Sequence, residues 1–490
     1  MLFAEEKIIA SDGNIDDRFG KAVSITESWL AIGANRDDDA ATNSGSVYLY
    51  KYENNTILDE YKITSFDAAN NDYFGKALAI NEQWLAISSL YDDQNGEKSG
   101  SAYVYHLENN QWTFHTKILA YDGAPFDRFG YSIDIENDLL VIGSVYDDDF
   151  DKEDSGSIYV YRLLNNEWVF DDKLYSNDIE AGDFFGTSVS INNGVISVGA
   201  VYDDFDNYLN CGSVTVFNYI NNQWSQLQKI YAYDLQSYDF FGNSIDMHNN
   251  KIIIGSFRDD ANYLNSGSAY LYKFINNQFE NILKITACDE SLNDNFGQSV
   301  AIYNDFLAIG SLDDDNGINS GSVYIYQIND DQIIEEIKYI GDDVDTYDEF
   351  SGSLSLYNNH LLVGSQYDDD LGDASGSAYL LNYIGCQIES ACNYESSFFH
   401  DESLCFFSQN NFNCDGTCEF SVDECGVCSG GGNNGNINYD EDVNIVDLVI
   451  IVDYILDNNE IINQCVADLN NDFVVNVTDI ILLIEAILYF

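Results

Sequence analysis

Two segments near the C-terminus carry oxygen-bearing side chains at the spacing of a calcium-binding loop. Oxygen ligands at positions 1, 3, 5, 7 and 12 of such a loop wrap a hard cation such as Ca²⁺. The candidate ligands are Asn436, Asn438, Asp440, Asp442 and Asp447 in the first segment, and Asp468, Asn470, Asp472, the Val474 carbonyl and Asp479 in the second. Because the pattern occurs twice, 32 residues apart, we predict two sites with Ca²⁺ as the cofactor.

Each loop runs into an apolar stretch of helical length, Ile445 to Leu456 in the first case and Val477 to Leu488 in the second. Helices of about a dozen residues are too short to span a bilayer, so we expect them to pack together and leave a stripe for a partner. Position 6, normally glycine, is Glu441 or Phe473, where a left-handed backbone costs about 1 kcal/mol or more. The alternative is a small helical pair whose acidic loops are only solvated.

Eight of the ten cysteines are clustered in the C-terminal part of the chain, in and beside a segment rich in Gly and Asn. The eight are Cys386, Cys392, Cys405, Cys414, Cys418, Cys425, Cys428 and Cys465. Such clustering indicates a disulfide framework in an oxidising compartment. A zinc site is the alternative, because Cys414-x-x-x-Cys418 and Cys425-x-x-Cys428 suit tetrahedral thiolate coordination.

The remainder of the chain repeats a single unit. A Phe-Gly pair recurs every 54 to 56 residues, at Phe19, Phe74, Phe129, Phe185, Phe241 and Phe296 and, degraded to Phe-Ser-Gly, at Phe350. In the first unit the runs Lys21 to Thr26, Leu30 to Ala34, Ser46 to Tyr52 and Tyr61 to Ser65 have the composition of strands, separated by Gly, Asn, Asp and Ser. Four strands in each of seven units predict an all-β, seven-bladed propeller, with an open solenoid as the alternative.

The two ends of the repeat region favour a closed ring. The last unit supplies only three strands, ending at Tyr383, whereas Lys7-Ile8-Ile9 at the N-terminus matches the fourth-strand sequence Lys62-Ile63-Thr64. We therefore predict that the N-terminal strand completes the seventh blade, which a linear solenoid would not need.

Acidic residues concentrate in two of the four connections of each unit, before the Phe-Gly pair and after the second strand. Asp37 to Asp39 are an example of the second group, and turns such as Asn109-Asn110 occupy the other ends of the strands. Connections alternate between the faces of a disc, so one rim should be anionic and the other rich in Asn. The acidic loops either cap their own turns or bind cations.

Phe-Gly followed after a strand by Ile-Gly-Ala or Val-Gly-Ser resembles the FG-GAP repeat, the unit of the seven-bladed propeller in integrin alpha subunits and many bacterial surface proteins. The resemblance covers residues 1 to 384 and implies a binding or cell-adhesion propeller. Integrin-type repeats carry a calcium loop after the first strand, but here that connection is as short as Thr26-Glu27-Ser28. The integrin calcium site is therefore not carried over.

The C-terminal loop pair, with Asp at position 12 and Val-Asn at positions 8 and 9, resembles the duplicated type I dockerin over residues 436 to 490. The resemblance implies a cohesin-like partner. We thus divide the chain into a propeller (1–384), a cysteine-rich segment with a Gly-rich linker (385–432), and an EF-hand-like, dockerin-like α-helical domain (433–490).

The overall charge restricts the partners of the protein. With 84 acidic and 19 basic residues the formal net charge is -65, which repels nucleic acid and anionic membranes. The sequence also has no apolar run long enough to span a membrane.

The N-terminus carries no visible signal peptide, although the cysteines indicate a secreted or cell-surface protein. The five histidines fall at unrelated points of the repeat, and no catalytic set is recognisable. We predict a non-enzymatic, calcium-binding adhesion scaffold for a protein or glycan ligand. The alternative is a dockerin-borne enzyme acting on polysaccharide.

Overall fold

The computed structural model describes residues 2–53, 56–149, 152–314, 319–329, 331–358, 360–385, 399–400, 443, 445–457, 467, 469 and 475–489. The chain forms two compact units, Met1–Tyr383 and Ile384–Phe490. Each unit is described by itself below.

The first unit consists of seven sheets of four antiparallel strands, as predicted. Blade 1 contains β2 (Phe19–Ile25), β3 (Trp29–Ala34), β4 (Ser46–Glu53) and β5 (Thr56–Thr64). Blade 2 contains β6 (Phe74–Ile80), β7 (Trp84–Ser89), β8 (Ser101–Glu108) and β9 (Gln111–Ile118). Blade 3 contains β10 (Phe129–Glu136), β11 (Leu139–Ser144), β12 (Ser157–Leu164) and β13 (Glu167–Leu174). Blade 4 contains β14 (Phe185–Asn192), β15 (Val195–Ala200), β16 (Ser213–Ile220) and β17 (Gln223–Ile230).

The remaining blades follow the same order. Blade 5 contains β18 (Ile245–His248), β19 (Lys251–Ser256), β20 (Ser268–Ile275) and β21 (Gln278–Ile285). Blade 6 contains β22 (Phe296–Tyr303), β23 (Phe306–Ser311), β24 (Ser322–Asn329) and β25 (Gln332–Tyr339). Blade 7 contains β26 (Ser353–Tyr357), β27 (His360–Ser365), β28 (Ser377–Gly385) and, from the N-terminus, β1 (Leu2–Ile8).

Burial follows the position of each strand in its blade. The second strands are buried along nearly their whole length, as in Trp29–Ala34, because neighbouring blades cover both of their faces. The fourth strands are mostly exposed, as in Thr56–Thr64. Each first strand contacts the first strands of both neighbouring blades, from β2 around to β26 and back to β2. The first strands therefore surround the central axis of a closed propeller.

The Phe-Gly pair fixes the packing between blades. Phe19 is fully buried and meets Tyr48 edge-on at 5.2 Å between ring centroids. Gly20 has φ +88°, and a Cβ there would lie 2.1 Å from the Ser377 carbonyl oxygen of the preceding blade. Glycine permits this conformation and this approach at the least cost, which explains why the pair recurs in six units; in the seventh, Ser351 takes the position with φ +77°.

The N-terminal strand closes the ring. β1 pairs with β28, and the strand order of blade 7 is β1-β28-β27-β26. The predicted ring closure is thereby confirmed, and the open solenoid is excluded.

The second unit contains two described helices, α1 (Ile445–Asp457) and α2 (Val477–Tyr489), and a short strand β29 (Phe399–His400) that pairs with Ile384 and Gly385. The helices contact each other around Ile451 and Leu483, as predicted from their apolar sequences. None of the described helices has the length and apolarity needed to cross a membrane.

Candidate binding face of the propeller

The acidic loops and the starts of the first strands lie on one face of the propeller, which we call the loop face. In six blades a tyrosine of the third strand points its hydroxyl at two aspartates of this face. In blade 1, Tyr48 Oη donates to Asp12 Oδ1 at 2.7 Å and Asp37 Oδ2 at 2.9 Å. Lys62, from the fourth strand, bridges the same two carboxylates at 2.9 and 2.7 Å and also reaches Asp39. We call this arrangement the Tyr-Asp-Lys cluster.

The cluster recurs around the ring. Its members are Tyr103, Asp67, Asp92 and Lys117 in blade 2; Tyr159, Asp122, Asp147 and Lys173 in blade 3; Tyr270, Asp234, Asp259 and Lys284 in blade 5; Tyr324, Asp289, Asp314 and Lys338 in blade 6; and Tyr379, Asp343, Asp368 and Lys7 in blade 7. Lys7 comes from β1, so ring closure also completes the cluster of blade 7.

Blade 4 departs from the pattern. Thr215 replaces the tyrosine, and its buried Oγ1 has no hydrogen-bond partner among the described residues. Tyr231, beyond the end of β17, supplies a hydroxyl to Asp203 at 3.3 Å instead. Lys229 still bridges Asp178 and Asp203 at 2.7 and 2.6 Å.

The clusters account for much of the acidity of the loops. Desolvation raises the pKa of Asp12, but hydrogen bonds from Lys62 and Tyr48 outweigh it and hold the pKa below its usual value. Asp38, which follows the cluster residue Asp37 in the loop after β3, caps a turn. Its Oδ1 accepts the amide of Asn43 at 2.5 Å. Turn capping, one of the two predicted roles, is therefore observed. Among the described residues, no group of three or more carboxylate, histidine or cysteine side chains is arranged to hold a metal ion.

A second, buried aspartate precedes the Phe-Gly pair by two residues. Asp17 Oδ2 accepts the amide of Asn14 at 2.7 Å, and its equivalents do the same in the other blades. Desolvation, together with the charge of Asp37, raises the pKa of Asp17 to about 7. This hydrogen bond closes the turn that directly precedes the first strand. The residue after the aspartate, which is Arg18 in blade 1, therefore lies at the start of that strand.

That next residue has a left-handed backbone in every blade, although none of the seven is glycine. The φ values lie between +51° and +59°. The residues are Arg18, Tyr73, Arg128, Phe184, Phe240, Asn295 and Glu349. Bulky residues adopt this conformation at a cost, and such strain clusters at functional sites.

Six of these seven residues contact a side chain that follows a second strand. The residues at that position in the seven blades are Arg36, Tyr91, Tyr146, Tyr202, Arg258, Asp313 and Tyr367. Both sets adjoin the loop-face ends of the first strands, and because those strands surround the central axis, the two sets form a ring around that axis. We call the fourteen residues the mouth ring.

Side chains of the mouth ring contact one another through most of its circumference. The Arg18 guanidinium lies 4.8 Å from the Tyr367 ring centroid, and Asp16 joins Arg18 to Arg36 at 3.0 and 2.7 Å. Arg128 lies between Tyr91 and Tyr146, at 5.3 and 4.1 Å from their centroids. The aromatic series continues through Tyr146, Phe184, Tyr202 and Phe240 with centroid distances of 4.8, 4.9 and 5.1 Å.

The mouth ring is chemically uneven. Blades 1 to 3 contribute arginine and tyrosine, blades 4 and 5 are mainly aromatic, and blade 6 contributes Asn295 and Asp313. Lys21 and Lys76 follow the first two Phe-Gly pairs and lie just inside the mouth. Desolvation and then the charge of Lys21 lower the pKa of Lys76 to about 7.

The mouth ring was not among the predicted sites. The available signal was variation: the position before Phe-Gly holds Arg, Tyr, Phe, Asn or Glu in an otherwise uniform repeat. In addition, four of the five arginines occur at the two ring positions.

Most of the residues predicted as metal ligands and all of the predicted disulfide cysteines lie outside the described residues. Asp447 and Asp479 are the exceptions among the metal ligands, and both are buried at the starts of α1 and α2. Asp479 accepts the amides of Leu469 and Asn476, each at 2.9 Å. Of the remaining cysteines, Cys211 is buried and Cys288 exposed, and both are free thiols.

Comparison with known proteins identifies the repeat. The model of the FG-GAP repeat matches seven segments, residues 3–50, 58–105, 112–161, 168–217, 224–272, 279–326 and 334–381. Each matched segment begins with the outer strand of one blade and continues through three strands of the next. No curated protein matches the chain. The matched segments cover more than half of the sequence, and the chain belongs to the FG-GAP repeat family.

Proposed function

We propose that the protein is an exported binding scaffold whose loop face takes a protein or glycan ligand at the mouth ring. The observation that carries this proposal is the ring itself. Seven strained positions present different side chains on an otherwise constant backbone, whereas the surrounding clusters repeat almost unchanged. The FG-GAP propeller is typically a non-catalytic binding fold, which supports a scaffold over an enzyme.

Exposed aromatic and aliphatic residues extend the candidate surface outward from the ring. Phe126, Tyr238 and Tyr347, all in the loops that lead into first strands, expose 48%, 51% and 58% of their surface. Aromatic residues are enriched at protein interfaces. They give the loop face apolar contact area between its acidic loops.

The C-terminal unit supplies the second part of the proposal, which is docking or anchoring. Equivalent positions of the two helices expose apolar side chains: Ile445 and Val477 are 66% and 60% exposed, and Val449 and Ile481 are 61% and 53% exposed. A matched pair of apolar positions is what a docking partner of the cohesin kind would cover. Calcium bound by the two preceding loops would fix the starts of these helices.

A binding screen tests the role of the loop face. The full-length protein is applied to protein and glycan arrays, in parallel with turnover assays on the same polysaccharides. The double variant Tyr91→Ala and Tyr146→Ala removes two aromatic faces of the mouth ring and should abolish retention. Leu58→Ser, at an exposed position of an outer strand, is the matched control and should bind normally. Product release from a polysaccharide would instead establish the enzyme.

Calorimetry on the full chain tests the calcium proposal. The wild type should release heat and gain thermal stability at millimolar Ca²⁺. The variant Asp440→Ala with Asp472→Ala, which removes one predicted ligand from each loop, should lose both effects. A wild type that shows neither heat nor stabilisation would refute the calcium sites.

A further inference from the structure

We propose that Arg128 of the mouth ring, together with Lys76 and Lys21 of the adjoining first strands, binds a single carboxylate that projects from an otherwise basic protein surface. This inference rests on the proposed function, because it names the chemistry of the ligand for the same face. The residues concerned are Arg128, Lys76 and Lys21, which belong to blades 3, 2 and 1.

The pairing of the cations carries the argument. The lysines of the Tyr-Asp-Lys clusters each take two or three carboxylates, as Lys62 and Lys7 do. By contrast, Arg128, Lys76 and Lys21 form no ion pair within 4.0 Å with any carboxylate among the residues that the structure describes, although the charge of Glu349 acts on Lys21. In a chain with 84 acidic residues, three basic side chains without an ion pair in the adjacent blades 1 to 3 require an explanation.

The surroundings of these cations point to an anion as the missing partner. Arg128 is held between two tyrosine rings, and its Nε is buried with no hydrogen-bond partner among the described residues. Lys76 reaches towards the next blade, where its Nζ lies 5.5 Å from the Tyr131 ring centroid. Desolvation lowers the pKa of both lysines; the charge of Lys21 lowers that of Lys76 further, and the charges of Arg18 and Arg36 act in the same direction on Lys21. A bound carboxylate would relieve the repulsion and accept charge-assisted hydrogen bonds.

The rest of the loop face restricts how much negative charge the ligand can carry. Exposed aspartates stand at the tips of the loops around the mouth: Asp38, Asp93, Asp148, Asp204 and Asp260. A polyanion such as a polyuronate or an acidic peptide would meet this negative rim along its length. A lone carboxylate flanked by basic or neutral groups would match a positive centre and a negative rim at once, and such complementary potentials determine partner choice. The pattern favours a protein loop with one projecting Glu or Asp among Lys and Arg.

The probe is a pair of fluorescent peptides that differ only in one side-chain group, a carboxylate in one peptide and a carboxamide in the other. One carries a single central Glu flanked by Lys and Gly, and the other carries Gln in the same place. We expect the wild type to bind the Glu peptide at least about tenfold more tightly than the Gln peptide at physiological salt, as a charge-assisted hydrogen bond requires. The Lys76→Gln variant should bind the two peptides within about threefold of each other, and Lys76→Arg should restore the preference.

The matched control is Lys51→Gln, which removes one positive charge outside the mouth ring, where Lys51 pairs with Glu53. It should keep the Glu preference, and thermal melting should show that all variants are folded. Equal binding of the two peptides by the wild type, or equal loss in Lys51→Gln and Lys76→Gln, overturns the inference. Preferential binding of polygalacturonate would overturn it in favour of an acidic glycan. If the arrays yield a ligand that Lys76→Gln still binds, only this inference fails; if the loop face binds nothing, the proposed function fails with it.

Discussion

The Tyr-Asp-Lys clusters and the mouth ring lie on the same face of the propeller but follow opposite rules. The clusters repeat one set of residue types in six blades, and even blade 4 keeps the bridging lysine. The mouth ring repeats only its backbone, with φ near +55° in every blade, and changes its side chains. Uniform chemistry marks the part that every blade needs in order to fold. Varied chemistry on a uniform backbone marks the part that meets a ligand.

The two regions also treat their charges differently. In the clusters, each lysine is surrounded by carboxylates and covered by a tyrosine ring, as Lys62 is by Tyr48 at 5.1 Å. In the mouth ring the arginines rest on aromatic rings; Arg18 and Arg36 share Asp16, whereas Arg128 forms no ion pair with the described residues. We therefore expect substitutions in the clusters to reduce stability and substitutions in the ring to reduce binding.

The largest expected effect comes from deleting residues 1 to 10. This removes β1 and leaves blade 7 with three strands, and it also removes Lys7 from between Asp343, Asp368 and Asp370. Because Asp343 and Asp370 are about half exposed and only Asp368 is buried, loss of the cation alone costs about 2–4 kcal/mol, less than for a fully buried pair. The deletion should lower the melting temperature in calorimetry far more than any single substitution. An unchanged melting temperature would contradict the closed ring.

A single cluster substitution should have the next largest effect. Lys284→Met leaves Asp234 and the buried Asp259 without their cation. We expect a loss of about 2–4 kcal/mol, somewhat below the value for a fully buried pair because Asp234 is partly exposed. Chemical denaturation measures the loss. Arg258→Gln in the mouth ring is the control and should leave the free energy of unfolding nearly unchanged.

The dependence of stability on pH separates two sets of aspartates. Desolvation raises the pKa of Asp17, Asp127, Asp183 and Asp239 to about 7, so the folded state binds protons there that the unfolded state has already released. Stability should therefore rise as the pH falls from 8 to about 5. Desolvation also acts on Asp12, but its partners Lys62 and Tyr48 lower its pKa below the ordinary value, so the stability from that group is lost at still lower pH. Thermal melts should show a maximum between the two ranges; a steady fall in stability from pH 8 to 5 would contradict the raised pKa values.

The smallest effect is expected in blade 4, where the cluster is already incomplete. Thr215→Val keeps the shape of the side chain and removes a buried hydroxyl that has no described hydrogen-bond partner. Relief of this unsatisfied group should stabilise the protein by about 0.5–1 kcal/mol. Tyr270→Phe, which removes a hydroxyl bonded to two aspartates in blade 5, should destabilise it. Equal effects in the two blades would show that the hydroxyl network contributes nothing.

Much of the fold could be predicted because the repeat carries its own constraints. The spacing of Phe-Gly, the strand composition and the match between Lys7 and Lys62 were sufficient for seven blades and for ring closure. The anionic loops were also predicted, but not the lysine that reaches into them. That lysine lies on the fourth strand, remote in sequence from Asp12 and Asp37, and only pairing of β4 with β5 brings it beside Tyr48.

The sequence by itself determined the architecture of this protein, because the Phe-Gly pair, whose glycine is replaced in only one of the seven units, recurs with alternating strands at a nearly constant spacing. The tertiary structure alone decided where its chemistry converges. Arg18, Arg128 and Lys76 are separated by many residues and belong to different blades. They come to the same face only because seven first strands surround one axis; for Arg18 and Arg128, a buried aspartate also turns the residue that follows it towards that axis.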